Sequence, residues 1–242
     1  MAQQAFLTRL VGRIPRVADI VTFRFERPEG YNYQAGQWFS ISFPGPSGPY
    51  DHHFSHSSSP TEPHMEFTTR LRGSEFKNAL DDLPLGSEVE IEGPYGSFTL
   101  GEGLDRVAFL AGGIGITCVR SILRWLGDTY GRSPSAPSSR QIVLFFANRS
   151  EEEIPFSEEL ARLEASLPGF RVVHVISQPK AGWSGYRGHL DESVLGRELT
   201  ERHRWAYYLS GPPSFGQAMQ DSLVGWKVDP ASIKIERFEG YE

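Results

Sequence analysis

Residues 105–126 read Asp105-Arg-Val-Ala-Phe-Leu-Ala111, then Gly112-Gly113-Ile114-Gly115-Ile116-Thr117, then Cys118-Val-Arg-Ser-Ile-Leu-Arg-Trp-Leu126. Val107 to Ala111 is a short apolar run of the length and character of a buried strand. Val119, Ile122, Leu123 and Leu126 recur at helical spacing. The glycines between them make a tight turn with no side chain in the way. Strand, glycine turn and helix together collect bare backbone N–H groups and a helix N-terminus at one point, which suits a phosphate. The pattern is Gly-Gly-x-Gly-x-Thr rather than a full dinucleotide fingerprint, so taken alone it is equally an ordinary tight turn.

Downstream the same rhythm continues. Gln141–Ala147, Phe170–Ser177, Trp205–Ser210 and Ser232–Phe238 read as strands. Helical segments at Ile154–Glu164, Asp191–Glu198 and Phe215–Val224 fall between them. Alternation of strand and helix predicts a parallel sheet with helices on both faces. Upstream the rhythm is different. Phe6–Arg13, Ile20–Glu26, Gln37–Phe43, His53–Ser59, Glu66–Leu71 and Ser87–Glu92 are short strand-like runs, with one small helix over Phe76–Leu83. The run Pro44-Gly45-Pro46-Ser47-Gly48-Pro49 reads as a loop. Short strands, turns and a single helix predict a closed or nearly closed antiparallel barrel. The chain is thus expected to hold two domains, an antiparallel β-barrel over 1–101 and an α/β parallel-sheet domain over 102–242. The Ser/Pro-rich piece from Gly131 to Ser139 reads as a surface loop.

Composition narrows the function. Of 242 residues 12% are aromatic, which favours a packed core over disorder, and the net charge of −6 without a basic run disfavours nucleic acid. A single cysteine rules out an internal disulfide and a four-cysteine iron–sulfur cluster within this sequence. No secretory apolar segment and no apolar run of about 20 residues appears, so the expectation is a cytoplasmic protein without a membrane span.

Several constellations carry chemistry. His52-His53-Phe54-Ser55-His56-Ser57-Ser58-Ser59-Pro60 places an aromatic, able to stack on a flat ring, next to a hydroxyl, able to bond a ring nitrogen. It is also readable as a serine-rich strand end. Its three histidines converge poorly and lack a carboxylate or cysteine partner, so no metal is expected. Arg72-Gly73-Ser74-Glu75-Phe76-Lys77 enters the small helix with Lys77 in its first turn, unfavourable for the helix dipole unless an anion sits there. Asn148-Arg149-Ser150, Ser177-Gln178-Pro179-Lys180 and Ser210-Gly211-Pro212-Pro213 follow predicted parallel strands, at the ends where such sheets bind ligands. Arg149, Lys180 and Arg187 are cations able to meet phosphate, or plain surface charges.

Taken in order, these stretches resemble the ferredoxin–NADP⁺ reductase-type family of FAD/NAD(P)-binding oxidoreductases. Gly36-Gln37-Trp38 is similar to its Pro-Gly-Gln-aromatic strand start and His52–Pro60 to its Arg-x-Tyr-Ser stretch. Gly93-Pro94-Tyr95-Gly96-Ser97-Phe98 is similar to the close of its flavin barrel, and Gly112–Thr117 to its Gly-Gly-x-Gly-Ile-Thr turn. Leu209–Pro213 is similar to its Cys-Gly-Pro-Pro, and Glu236-Arg237-Phe238 to its closing Glu-x-aromatic.

The resemblance implies FAD on the barrel and a nicotinamide dinucleotide on the second domain, with hydride passing to flavin N5. It implies a flavin-binding set of His52, His53, Phe54, Ser55, Thr69, Leu71, Ser74, Phe76 and Lys77. In it Phe54 stacks on the ring and Ser55 lies near N5. Gly112, Gly113, Gly115, Thr117, Arg149, Ser177, Gly211 and Pro212 would hold the dinucleotide. Phe238 or Tyr241 would cover the other flavin face, and Ser55 and Glu236 would act catalytically, Glu236 in proton supply. The cofactor carries the redox chemistry and the protein positions it.

Three departures stand out. The family's arginine is His52, its tyrosine is Phe54, and its cysteine before Gly-Pro is Ser210, while Cys118 replaces the proline after Ile-Thr. Lys77 is the expected substitute for the missing arginine charge. The resulting expectation is an NAD(P)H-dependent FAD reductase, with NADPH favoured by the available cations. It would serve a separate acceptor such as ferredoxin, flavodoxin or an oxygenase component, with no iron–sulfur domain appended. Alternatives are a reductase of free flavin and a non-catalytic flavin-binding electron-transfer subunit.

Overall fold

The computed structural model describes residues 5–46, 48–131 and 140–238. Two six-stranded sheets account for its strands. The first contains β1 (Ala5–Val17), β2 (Ile20–Glu26), β3 (Trp38–Gly45), β4 (Gly48–Ser55), β5 (His64–Arg70) and β6 (Glu88–Tyr95), with helix α1 (Glu75–Asp82) between the last two. Their order is β4-β3-β6-β1-β2-β5, with every neighbouring pair antiparallel. The terminal strands of this order, β4 and β5, approach each other without pairing. Phe54 of β4 stacks on Phe67 of β5 with ring centroids 4.0 Å apart. Beyond β4 the Ser57 and Ser58 amides both donate to the Glu66 carbonyl. The sheet therefore curls into a nearly closed barrel, as expected, with one seam left open beside Ser55.

Alternation drives this packing. Phe39, Ile41 and Phe43 of β3 are buried with Phe23, Phe25, Met65, Phe67, Val89 and Ile91, while Trp38, Ser40 and Ser42 lie on the other face. The proline-rich loop expected after Phe43 is instead the tip of the β3–β4 hairpin, with Pro44 opposite Pro49 and Gly45 opposite Gly48. Pro49 is tolerated because β4 is an edge strand, and Pro44 because it lies beyond the pairing of β3 with β6, which ends at Ser42 opposite Glu90. Consequently β4 starts earlier than expected and ends at Ser55; Ser57 and Ser58 leave the ladder for the Glu66 carbonyl, Ser59 for the Glu62 carboxylate, and all three are fully buried.

The second sheet contains β7 (Arg106–Gly112), β8 (Gln141–Asn148), β9 (Phe170–Ile176), β10 (Tyr186–Arg187), β11 (Ala206–Gly211) and β12 (Ile233–Arg237). All its pairs are parallel, in the order β10-β9-β8-β7-β11-β12. Helices α2 (Ile116–Tyr130), α3 (Ser157–Ser166), α4 (Glu192–Glu198) and α5 (Pro213–Gly225) cover it. Val107, Phe109 and Ala111 face the layer of Val119, Ile122, Leu123, Leu160 and Leu163. Ala108 and Leu110 face Val194, Leu195, Met219 and Leu223. Burial on both faces explains why β7 reads as a continuous apolar run. The two-residue strand β10 carries too little pattern to be foreseen.

The two sheets meet along a polar seam that fixes α2 on the segment after Ser55. Arg120 of α2 donates to the Ser57 carbonyl at 2.7 Å and to Glu62 and Glu159, and Ser121 donates to the Ser58 carbonyl at 2.6 Å. Burial alone would weaken the Arg120 charge. Glu62 and Glu159 outweigh it and hold the guanidinium more firmly protonated than usual. On the other flank Arg70 of β5 joins Asp19 at 2.6 Å to Glu153 of the second domain at 2.8 Å.

Candidate functional site

The candidate site consists of a cavity and a groove that share Ile114. The cavity lies at the open seam of the barrel. Its walls are Trp38, His52, His53, Phe54, Ser55 and Thr68 from the barrel, Ile114 and Thr117 from the glycine turn, and Glu236, Arg237 and Phe238 from the end of β12. The groove runs over the C-terminal ends of β7, β8, β9 and β11. It is lined by Gly112, Gly113, Ala147, Asn148, Arg149, Ser177 and Pro212.

The glycines of the turn have separate reasons. Gly113 adopts φ +52°, a conformation costly for a residue with a Cβ. At Gly115 an added Cβ would lie 2.3 Å from the Ser210 carbonyl oxygen, so the turn can pack against the end of β11 only without a side chain. Ser210 Oγ donates to the Gly115 carbonyl at 2.8 Å and lies 3.0 Å from Cys118 Sγ. Cys118 is fully buried, and burial pushes its thiol well above the ordinary range. It therefore belongs to the clamp beneath the turn rather than to the ligand surface.

Polar groups aim at both spaces. Among the described residues, Thr117 Oγ1 is buried without a hydrogen-bond partner and lines the cavity, and Asn148 Nδ2 is buried without one and lines the groove. Buried orphans are costly unless a ligand satisfies them. Glu236 lines the cavity with its carboxyl pushed up to about 7 by burial. His52 is pulled below the ordinary histidine range by burial and then by His53 and Lys77, so it carries little charge at neutral pH. Aromatic walls, a hydroxyl at Ser55 and an unsatisfied hydroxyl at Thr117 form a donor set that fits the polar edge of a flavin ring. The enclosed cavity is about 30 Å³ and the groove about 480 Å³. The groove has the size of ligand pockets in general, whereas a ring needs the cavity walls to turn aside.

The expected residues fall into three sets. His52, His53, Phe54, Ser55, Thr117, Glu236 and Phe238 come together around the cavity. Gly113, Arg149, Ser177 and Pro212 come together in the groove, and Gly211 adjoins it, with its carbonyl accepting from the Phe238 amide at 3.0 Å. Thr69, Leu71, Ser74, Phe76 and Lys77 line neither space. Thr69 is fully buried and Leu71 packs on the barrel core, because strand parity turns Thr68, Arg70 and Arg72 toward the ligand surface instead. Phe76 is in the aromatic cluster of Phe43, Tyr50, His52 and Phe54, and Ser74 caps α1. Lys77 is on the buried face of α1, and its ammonium donates to the Arg70 carbonyl at 3.0 Å. Tyr241 lies outside the described residues. Phe54 has one face covered by Phe67 and is only 7% exposed.

Among the three cations considered for a phosphate, Arg187 donates to the carbonyls of Lys180, Ala181 and Trp183 and so holds a loop. Lys180 pairs with Glu152. Arg149 lines the groove and donates to the neutral amide oxygen of Gln178 at 3.1 Å. Thr68 and Ile114 join the lining without having been expected there, whereas Asn148 belongs to the strand end Asn148-Arg149-Ser150. No sequence signal singles out Ile114. Among the described residues no group of three His, Cys, Asp or Glu side chains is placed to hold a metal.

A barrel with one open seam, joined to a parallel sheet whose glycine turn faces that seam, defines a two-domain, flavin-and-nicotinamide type of architecture. A family profile described as the oxidoreductase NAD-binding domain matches residues 109–221. Ferredoxin–NADP reductase B of Sorangium cellulosum is 31% identical over 81% of this chain and 80% of its own length. The stachydrine N-demethylase reductase subunit of Rhizobium meliloti is 27% identical over 94% of this chain and 65% of its own length. The FAD/NAD-binding domain of nitric oxide dioxygenase from Vibrio cholerae shares the fold with a TM-score of 0.82 at 20% identity, covering 96% of this chain and 98% of that one. The chain belongs to the ferredoxin–NADP⁺ reductase-type family of FAD/NAD(P)-binding oxidoreductases. It spans 63–65% of the length of several of the relatives it matches. No helix among the described residues is long and apolar enough to cross a membrane.

Proposed function

We propose that the protein is an NAD(P)H-dependent reductase that holds FAD at the barrel seam and delivers electrons to a separate acceptor, of the kind an oxygenase component represents. The observation that carries this reading is Thr117 Oγ1, a buried hydroxyl without a hydrogen-bond partner among the described residues, lining the cavity with Ser55 and Glu236. The bound flavin would supply hydride acceptance in one step and electron release in single steps. Trp38, Phe54 and Phe238 would bound its ring and exclude water. Ser55 and Thr117 would bond its polar edge. Glu236, with a carboxyl that is half protonated near neutrality, would hold and release the accompanying proton. The glycine turn and Asn148 would seat the dinucleotide so that its reactive end meets the cavity beside Ile114. NADPH is the favoured donor in this reading. Glu151, Glu152 and Glu153 are each engaged by Lys180 or Arg70, so that Arg149, like Arg72, is a groove cation that forms no ion pair with a described residue.

The test is anaerobic titration of purified protein reconstituted with FAD. Bleaching of the flavin by one equivalent of NADPH or NADH is the expected result; an unbleached flavin with both donors refutes it. A second reading, reduction of free flavin, is favoured by the weak charge at His52. Under that reading gel filtration strips the yellow colour while NAD(P)H oxidation still depends on added flavin.

A further inference from the structure

We infer that the outer face of β4, β3 and β6 is where the electron acceptor docks, and that the acceptor is a redox protein presenting a cationic face. The inference rests on the flavin reading above. Side-chain parity places one row of residues at the cavity mouth and further rows behind it. In register across the three strands, Ser55, Trp38 and Tyr95 form the first row. His53, Ser40 and Glu92 form the second, and Asp51, Ser42 and Glu90 the third. Glu88 follows on β6, opposite Arg9 of β1.

The face opens directly on the cavity, because Trp38 and Ser55 of the first row and His53 of the second are themselves wall residues. The Trp38 ring lies 4.7 Å from Tyr95 and 5.4 Å from His53, a half-buried aromatic patch at the place where an electron would leave the flavin edge. Behind it Ser40 and Ser42 keep the relief low. The charge of the face is one-sided. Asp51 accepts a hydrogen bond from Ser40 and Glu92 one from Tyr95, but none of Asp51, Glu88, Glu90 and Glu92 forms an ion pair with a described residue. Several carboxylates elsewhere are matched. Glu66 lies between Arg16 and Arg24, Glu62 and Glu159 enclose Arg120, and Glu153 meets Arg70.

A low, aromatic-centred face with unneutralised carboxylates and direct access to the redox site has the character of a transient electron-transfer interface. Such interfaces are small and depend on charge for encounter more than for affinity. Four carboxylates attract a cationic partner and repel an acidic one over roughly a Debye length, about 10 Å at 0.1 M salt. The partner's chemistry follows: a lysine- or arginine-ringed prosthetic group.

The test uses FAD-loaded protein and three acceptors. Mitochondrial cytochrome c is a cationic haem protein, an acidic [2Fe–2S] ferredoxin is its opposite, and menadione is a neutral quinone. With cytochrome c, one NAD(P)H reduces two ferric haems to ferrous and releases one proton. With menadione, one NAD(P)H and one proton give the hydroquinone. The variant is Glu88→Gln/Glu90→Gln/Glu92→Gln, with Glu90→Lys alone as a second probe of the same face. The expected result is a cytochrome c rate that falls with rising salt and drops about ten-fold in the triple variant at low salt, the order of electrostatic steering. Ferredoxin reduction should rise in the same variant and menadione turnover should hold. Cytochrome c rates indifferent to salt and to both variants, with menadione turnover intact, overturn the docking face. Absence of menadione turnover in the unmodified protein with either donor overturns the flavin reading, and this inference with it.

Discussion

The groove and the cavity are built by different means. The groove is built on the ends of parallel strands at Gly112, Ala147, Ser177 and Pro212 and on a glycine turn, with the side chains of Arg72, Asn148 and Arg149 along it. The cavity is made of side chains projecting from two barrel edges that do not pair, from the glycine turn and from the end of β12. A surface made of backbone is set by topology and tolerates no intruding Cβ. A surface made of side chains can be retuned one residue at a time without altering the fold. Two departures from the family motif fall on the cavity wall, and a third, Ser210 with Cys118, lies beneath the glycine turn without altering its glycines. His52 and Phe54 change the cavity wall, while Gly112, Gly113 and Gly115 stand unchanged in the turn.

The comparison breaks most visibly at Gly115. A Gly115→Val variant must displace either the turn or the Ser210 carbonyl, since the first added carbon already falls 2.3 Å from that oxygen. NAD(P)H-driven turnover should fall by about 10²-fold or more, the cost of a displacement near 1 Å in a positioned reactant. Flavin content should fall much less than turnover, because Trp38, Phe54 and Ser55 of the barrel stay in place even where Ile114 and Thr117 move with the turn. Loss of flavin together with turnover would show that the two surfaces are not separable. Stopped-flow reduction and the flavin-to-protein absorbance ratio give both readings.

The side-chain surface is probed at Glu236. Burial raises its carboxyl from the ordinary range to about 7, so the protonated form predominates below that pH. Turnover should decline as pH rises through about 7, and Glu236→Gln should lower kcat about 10²-fold and flatten that limb, the range of a positioned proton donor. The stability this group contributes runs the same way: present below the ordinary carboxylate range, lost as pH rises through about 7. A pH–rate profile unaltered by the substitution would remove Glu236 from proton supply.

The same division explains what could be read from the amino-acid order. The parallel sheet announced itself through the apolar run at β7, buried on both faces, and through polar residues at strand ends. The barrel announced itself through alternation. Strand parity within the seam did not, since Thr68 and Thr69 are both threonine and only pairing with β2, Thr22 opposite Thr68 and Val21 opposite Thr69, fixes which one turns outward. Nor did the fate of charges. Nothing local separates Arg149, which lines the groove, from Arg187, which is tied to three carbonyls of a loop. Likewise Arg120 read as an ordinary helix position, and its partners Ser57, Glu62 and Glu159 are distant in sequence.

Arg149 tests whether the groove has any side-chain selectivity at all. Its guanidinium bonds only a neutral amide, so a 2′-phosphate would gain a charge-assisted hydrogen bond there. Arg149→Ala should lower kcat/KM for NADPH by roughly 10-fold, corresponding to about 1.5 kcal/mol for a bond to a charged group, and leave NADH within a factor of about two. Equal losses with both donors would assign Arg149 to the shared part of the dinucleotide.

The smallest effect is expected at Lys77. Its ammonium is turned onto the Arg70 carbonyl on the inner face of α1 and lines neither cavity nor groove, whereas the exposed Arg72 does line the groove. If the charge missing at His52 is replaced, Arg72 is therefore better placed to replace it than Lys77. Lys77→Met keeps the buried stem and removes the charge, so FAD affinity measured by fluorescence should stay within about two-fold while thermal stability falls with the lost hydrogen bond. A ten-fold loss of FAD affinity with unchanged stability would instead return the phosphate charge to Lys77. The helix N-terminus capped by Ser74, together with that lysine, would then belong to the side-chain surface after all.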